Sequence, residues 1–168
     1  MQNAKDTFFE AMRTRLAAVN PERTAVVRGV VRPAVLVEEN ELEAGHVPVD
    51  CFRLRWGAAS VEGNAALPCV TCTCEVLYET AGTALNAGVD RGRVLAAMDA
   101  ELAAMVNAAP QRAVKTDFSG LAFGKAAKAM ATSVWWGDAV FGAAEVKGGR
   151  VARTASVQVM ALQEAGER

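Results

Sequence analysis

The sequence predicts an α+β domain: a single, mostly antiparallel β-sheet with an N-terminal and a central amphipathic helix packed on one of its faces. Three stretches carry this reading. Cys69, Val70 and the ten residues after them alternate with a period of two, the signature of a strand with one covered face. Residues 90–106 carry Val94, Leu95, Met98, Leu102, Met105 and Val106 along one helical stripe. Residues 150–162 alternate again through Val151, Arg153, Ala155, Val157, Val159 and Ala161. With 168 residues the chain fits one domain, 1–168, and is long enough to bury a core.

Taken in order, residues 4–19 form the first helix. Phe8, Phe9, Met12, Leu16 and Val19 make its apolar stripe, and Asn20-Pro21 ends it because a residue before proline is pushed out of the α region. Residues 24–31 read as a strand. Arg32-Pro33 breaks the pattern and residues 34–38 resume it, giving either a bent strand or two strands of a hairpin. Glu38, Glu39, Glu41 and Glu43 then form an acidic cluster, followed by loop around His46. Residues 51–56 are the next strand, with Phe52, Leu54 and Trp56 on one face and Cys51, Arg53 and Arg55 on the other.

Small residues from 57 to 68 read as a loop that hairpins this strand to the one at 69–79. There Cys72, Cys74, Val76 and Tyr78 share a face opposite Thr71, Thr73, Glu75 and Glu79, with Leu77 the exception. A Gly/Asn loop at 81–89 feeds the central helix, whose stripe covers the apolar strand face. Residues 110–149 read as irregular, with short strands at 114–118 and 133–136. A long irregular stretch inside a compact domain is usually functional, so it is expected to form an interface. The tail at 163–168 is expected to fray.

Eighteen basic against nineteen acidic residues give a net charge of -1, which supplies no electrostatic reason for nucleic-acid or membrane-surface binding. A hydrophobic content of 52% is that of a folded chain, not a disordered one. Neither a signal-peptide core nor an apolar run of about 20 residues is visible, so a cytoplasmic location with reduced cysteines is expected.

Catalytic and ligand motifs are thin. Cys69, Cys72 and Cys74, with Cys51 as a fourth ligand, are the one metal-like set. Zinc sites use paired Cys-x-x-Cys knuckles on turns; here one pair lies on a strand, so the cysteines read as small core residues. Residues 119–125 have a Gly-Lys pair but lack the upstream glycine and the following hydroxyl of a phosphate loop. The glutamate cluster lacks the spacing of an EF-hand. His46 is the one histidine and no Gly-x-Ser-x-Gly elbow is present. Nothing assembles a nucleophile, base and oxyanion donor, so no enzyme and no cofactor is expected.

The order of elements resembles the tail terminator, or tail completion (minor tail protein U), family of phages and phage-tail-like particles. The resemblance rests on the helix at 6–19, the Arg32-Pro33-Ala34 step leading to Glu38 and Glu39, the paired strands at 51–56 and 70–80, the helix at 90–106 and the closing strand at 151–160. It implies a structural virion or prophage component. Members form a ring, commonly a hexamer, that caps the tail tube, ends its polymerisation and forms the interface to the head or neck. The implied partners are other copies of the chain, the tube protein and head or neck connector proteins, with no sequence-specific nucleic acid and no membrane. The location implied is the cytoplasm during assembly and then the particle.

Candidate subunit contacts are the acidic set Glu38, Glu39, Glu41 and Glu43, the basic pair Arg53 and Arg55, and Trp135 with Trp136. The alternative is a small zinc-binding module on Cys51, Cys69, Cys72 and Cys74, or a ligand-binding module whose pocket is lined by Trp56, Tyr78, Trp135 and Trp136.

Overall fold

The structure is a computed structural model, and it describes residues 1–27, 29–33, 36–38, 49–63 and 66–167. Its elements run α1 (Gln2–Val19), β1 (Thr24–Val27), β2 (Val30–Pro33), β3 (Leu36–Glu38), β4 (Phe52–Glu62), β5 (Cys69–Thr80), α2 (Arg91–Val106), β6 (Arg112–Asp117), β7 (Lys128–Trp136), β8 (Val140–Phe141), β9 (Glu145–Lys147) and β10 (Arg150–Leu162). Strand order in the main sheet is β3-β4-β5-β10-β7-β6, while β1 and β2 form a separate two-stranded ribbon. The fold is α+β, as the alternation and the two stripes predict.

The last strand in the chain sits at the centre of the sheet. β10 pairs antiparallel with β5 along its length, from Val151 opposite Thr80 to Leu162 opposite Cys69. Its other edge is shared in tandem by β9, β8 and β7. One face of this sheet meets both helices. Cys72, Cys74, Val76 and Tyr78 of β5 and Ala155, Val157, Val159 and Ala161 of β10 are all buried there. So are Phe8, Met12 and Leu16 of α1 and Leu95, Met98, Leu102 and Met105 of α2, at the three-and-four spacing that makes a helical stripe. Phe8 packs edge-on to Trp56 and Trp136, at centroid distances of 5.9 and 5.5 Å.

Polar ties fix the helices. Arg15 of α1 donates to the carbonyls of Met105 (3.1 Å), Ala108 (2.7 Å) and Pro110 (2.5 Å). A cation thereby satisfies carbonyls that the end of α2 leaves open. Trp136 Nε1 donates to the Val106 carbonyl, which holds β7 to the same helix end. On the other side of α2, Tyr78 donates to Asp99 at 2.5 Å and Arg153 pairs with Asp99 at 2.8 Å. Burial first, and then the Asp99 carboxylate, push the Tyr78 hydroxyl well above its ordinary value.

Several expectations are corrected. The strand does end at Arg32-Pro33, with β3 beginning at Leu36 in the other sheet, but a further break comes at Gly29, whose φ of +75° suits a tight turn, so β1 and β2 pair as their own antiparallel ribbon. β3 then pairs parallel to β4. β4 continues to Glu62 through residues expected to be loop, with a bulge between Trp56 and Ala59. Residues 110–149 contribute four strands, β6 to β9, to the sheet, and β7 starts at Lys128, ahead of the short strand expected there.

The tail does not fray through its length. Gln163 N–H donates to the Pro68 carbonyl, and the fully buried Lys115 donates from Nζ to the Leu162 carbonyl (2.5 Å) and to Glu167 (2.6 Å).

Candidate assembly surfaces

The face of the sheet away from the helices carries charged and polar side chains, and several of its charges are paired within the chain. Arg55 of β4 pairs with Glu75 of β5 at 2.5 Å, Arg150 of β10 with Glu79 of β5 at 2.5 Å, and Lys147 with Glu145 along β9 at 2.8 Å. Gln158 donates across strands to Thr73. Trp135 is half-buried on this face, opposite Met160 and Arg112 in the neighbouring strands.

A cavity of about 310 Å³ opens at one end of the face, lined by Cys51, Arg53, Glu79, Glu145, Lys147 and Thr154 among others. Two of its carboxylates are the ones already paired with Arg150 and Lys147, so it presents little uncommitted charge for a ligand.

The β1–β2 hairpin is the feature least absorbed by the fold. Its root is fixed: Arg23 reaches Glu101 of α2 with two bonds, at 2.8 and 2.6 Å, and donates to the Asp50 carbonyl at 2.7 Å. Beyond the root, neither strand packs extensively on any other described element. Val26, Val30 and Val31 are 56%, 59% and 65% exposed. A lone two-stranded ribbon is marginal in water, and its valines gain nothing from exposure.

A second projection is the loop at 81–90. Asp90 accepts from Thr83 N–H (2.9 Å), Thr83 Oγ1 (2.6 Å) and Asn86 Nδ2 (2.9 Å). Those three bonds hold its carboxyl down to about 2. Gly88, at φ +76°, closes the loop where a Cβ would lie 2.6 Å from the Ala81 carbonyl oxygen. The loop presents Leu85, which is 98% exposed.

The predicted contact residues separate. Trp136 is core, 3% exposed, and is not a contact candidate; Trp135 remains on the open face. Arg55 is committed to Glu75 and Arg53 lines the cavity. Glu38 is the last residue of β3, while Glu39, Glu41, Glu43 and His46 lie outside the described residues.

The cysteines do not converge. Cys72 and Cys74 point into the core, Cys69 falls on the opposite parity of β5, and Cys51 is a buried residue just ahead of β4. Among the described residues no three His, Cys, Asp or Glu side chains are placed to hold a metal ion. Burial pushes the Cys51 thiol up to about 11 and raises that of Cys72, the reverse of what a thiolate ligand or nucleophile needs. Trp56, Tyr78 and Trp136 are in or against the core and Trp135 is on the far face, so these aromatics line no common pocket.

Sequence reasoning missed Lys115, Glu164 and Glu167, whose clasp joins β6 to the C-terminal tail. No helix among the described residues is long and apolar enough to cross a membrane. No protein-family model matches the chain, and no curated protein matches it.

Proposed function

We propose that this chain is a structural assembly protein, the ring-forming terminator of a phage tail or tail-like particle. It would act by surface complementarity and not by turnover. One ring face would sit on the last ring of tube subunits and end their polymerisation, and the other would meet the head or neck.

The observation that carries this reading is the β1–β2 hairpin. A ribbon anchored at its root by Arg23 but exposing Val26, Val30 and Val31 is an incomplete structure that a neighbouring protein completes. The exposed Leu85 on the pinned 81–90 loop supports the same reading, because a preorganised apolar contact costs little entropy to dock. The dispersed cysteines and the internally paired charges of the open face favour assembly over a metal or small-ligand site.

The test is polymerisation of tail-tube subunits with and without this protein. The expected result is shorter tubes bearing one added ring at an end. Tubes of unchanged length with no bound protein would remove the proposal.

A further inference from the structure

Residues 163–167, which follow β10, carry no apolar side chain larger than alanine, and none of them joins the buried core. Ala165 and Gly166 are exposed, and Gly166, at φ +82°, folds the chain back on itself. The turn brings Glu164 and Glu167 together. The Glu164 N–H donates to Glu167 Oε2 at 3.0 Å, and the Glu167 N–H to the Glu164 carbonyl at 3.1 Å. From Glu164 onward the tail meets the rest of the chain through its carboxylates, not through apolar packing.

Each carboxylate has its own seat. Glu164 Oε1 accepts from the Thr132 N–H (2.9 Å) and the Thr132 hydroxyl (2.7 Å), on β7. Glu167 Oε2 accepts from Lys115 Nζ of β6 at 2.6 Å, and Glu167 Oε1 lies 3.7 Å from the Met1 ammonium at the head of α1. One short turn of tail thereby joins three elements. It also walls a cavity of about 510 Å³, with Ala165 to Glu167 on one side and Asn3, Asp6 and Asp117 among those facing them.

We propose that residues 164–167 are an acid-operated latch, which ties the head of α1 to β6 and β7 while Glu164 and Glu167 are ionised and lifts as a unit when they take up protons. Gln163 is the hinge, because its N–H donates to the Pro68 carbonyl at 2.8 Å, a bond that protonation of the carboxylates leaves in place. A neutral Glu167 leaves the fully buried Lys115 without its nearest counter-charge. Lifting the tail admits water to that ammonium, so opening is favoured over staying shut. Release is local, since the long β5–β10 pairing contains neither carboxylate.

The charged groups facing the two carboxylates, among the described residues, are Lys115 from β6, itself 3.7 Å from Glu164, and the Met1 ammonium from α1; Asp6 and Asp117 line the same cavity. The Thr132 hydroxyl and then its N–H hold Glu164 below the ordinary 4.5. Burial raises Glu167, but the Lys115 bond, the Glu164 N–H and the two nearby positive charges outweigh it and leave it lowered too. Both carboxyls are depressed, so the latch is fully held above about pH 5 and is lost as pH falls through their lowered values.

The experiment is hydrogen exchange of the full chain, resolved by fragmentation mass spectrometry and corrected for intrinsic rate. Between pH 6 and pH 3, protection of the Thr132 and Glu164 amides is expected to fall about tenfold or more, while that of Gln163 and of β5 and β10 holds. Glu164→Gln with Glu167→Gln is expected to be open already at pH 6 and to show no further fall. Glu164→Gln alone keeps the Lys115–Glu167 pair, and hence the fold, and is expected to lessen the fall. Protection lost in step with β5 and β10, protection kept to pH 3, or wild-type titration in Glu164→Gln would each overturn the latch. The latch stands apart from the ring reading: a monomer whose tail opens removes the ring alone, and a ring whose tail stays shut removes the latch alone.

Discussion

Lys115 is where the fold can be tested most sharply. Its ammonium is fully buried, 2.6 Å from Glu167 and 2.5 Å from the Leu162 carbonyl, with Glu164 at 3.7 Å. The Glu167 side chain is itself only 2% exposed. Replacing Glu167 by Gln removes the nearest counter-charge and leaves a buried cation. Breaking a buried pair from one side typically costs about 3–5 kcal/mol, and the remaining Glu164 places this case near 3 kcal/mol. For a chain of this size each kcal/mol shifts the midpoint by roughly 2–4 °C, so the loss is about 6–12 °C.

Removing both charges, in Lys115→Met with Glu167→Leu, recovers most of that loss, because two matched apolar groups replace a costly ion pair. Urea unfolding followed by circular dichroism, at fixed protein concentration so that assembly does not alter the midpoint, measures the full cycle. A Glu167→Gln loss below about 0.5 kcal/mol, or strict additivity of the two positions, would refute the buried-pair reasoning.

Three further outcomes follow from the same structure. Replacing Gly88 by Ala forces a left-handed φ and a 2.6 Å approach to the Ala81 oxygen, and is expected to lower urea stability by about 1–3 kcal/mol, against no loss if the loop can relax. Asp90 is held down at about 2 from an ordinary 3.8, so its stabilisation is present above about pH 4 and is lost as pH falls towards 2. Asp90→Asn should flatten that part of the acid-unfolding curve and speed hydrogen exchange at Thr83 N–H, and an unchanged curve would count against a stabilising role for these loop bonds. Iodoacetamide at pH 8 should modify the half-buried Cys69 first and reach Cys51 and Cys72 only on unfolding, since burial raises both thiols; early loss of the Cys51 thiol would contradict this.

Legibility in the sequence tracked burial. β5 and β10 have one face under the helices, so their apolar residues alternate and their bounds could be read from the chain. Residues 57–62 of β4 are exposed, so Ala58, Ala59 and Ser60 carry no alternation and read as loop. The start of β7 failed for the same reason: Lys128 and Ala129 are exposed on a strand that β6 pairs at one side. The split at Gly29 was marked by a glycine, but Arg32-Pro33 was the stronger breaker signal.

Lys115 read as one polar residue of a short strand. Its partner lies 52 positions away, in a tail whose polar composition signals fraying.

The proposed closure of this chain into a ring is tested most directly by sedimentation equilibrium of the purified protein over a hundredfold range of concentration. One closed species at six times the 17.7 kDa subunit mass is expected, unchanged as concentration rises. A subunit-mass monomer across the range, or a series of polymers lengthening with concentration, would contradict it.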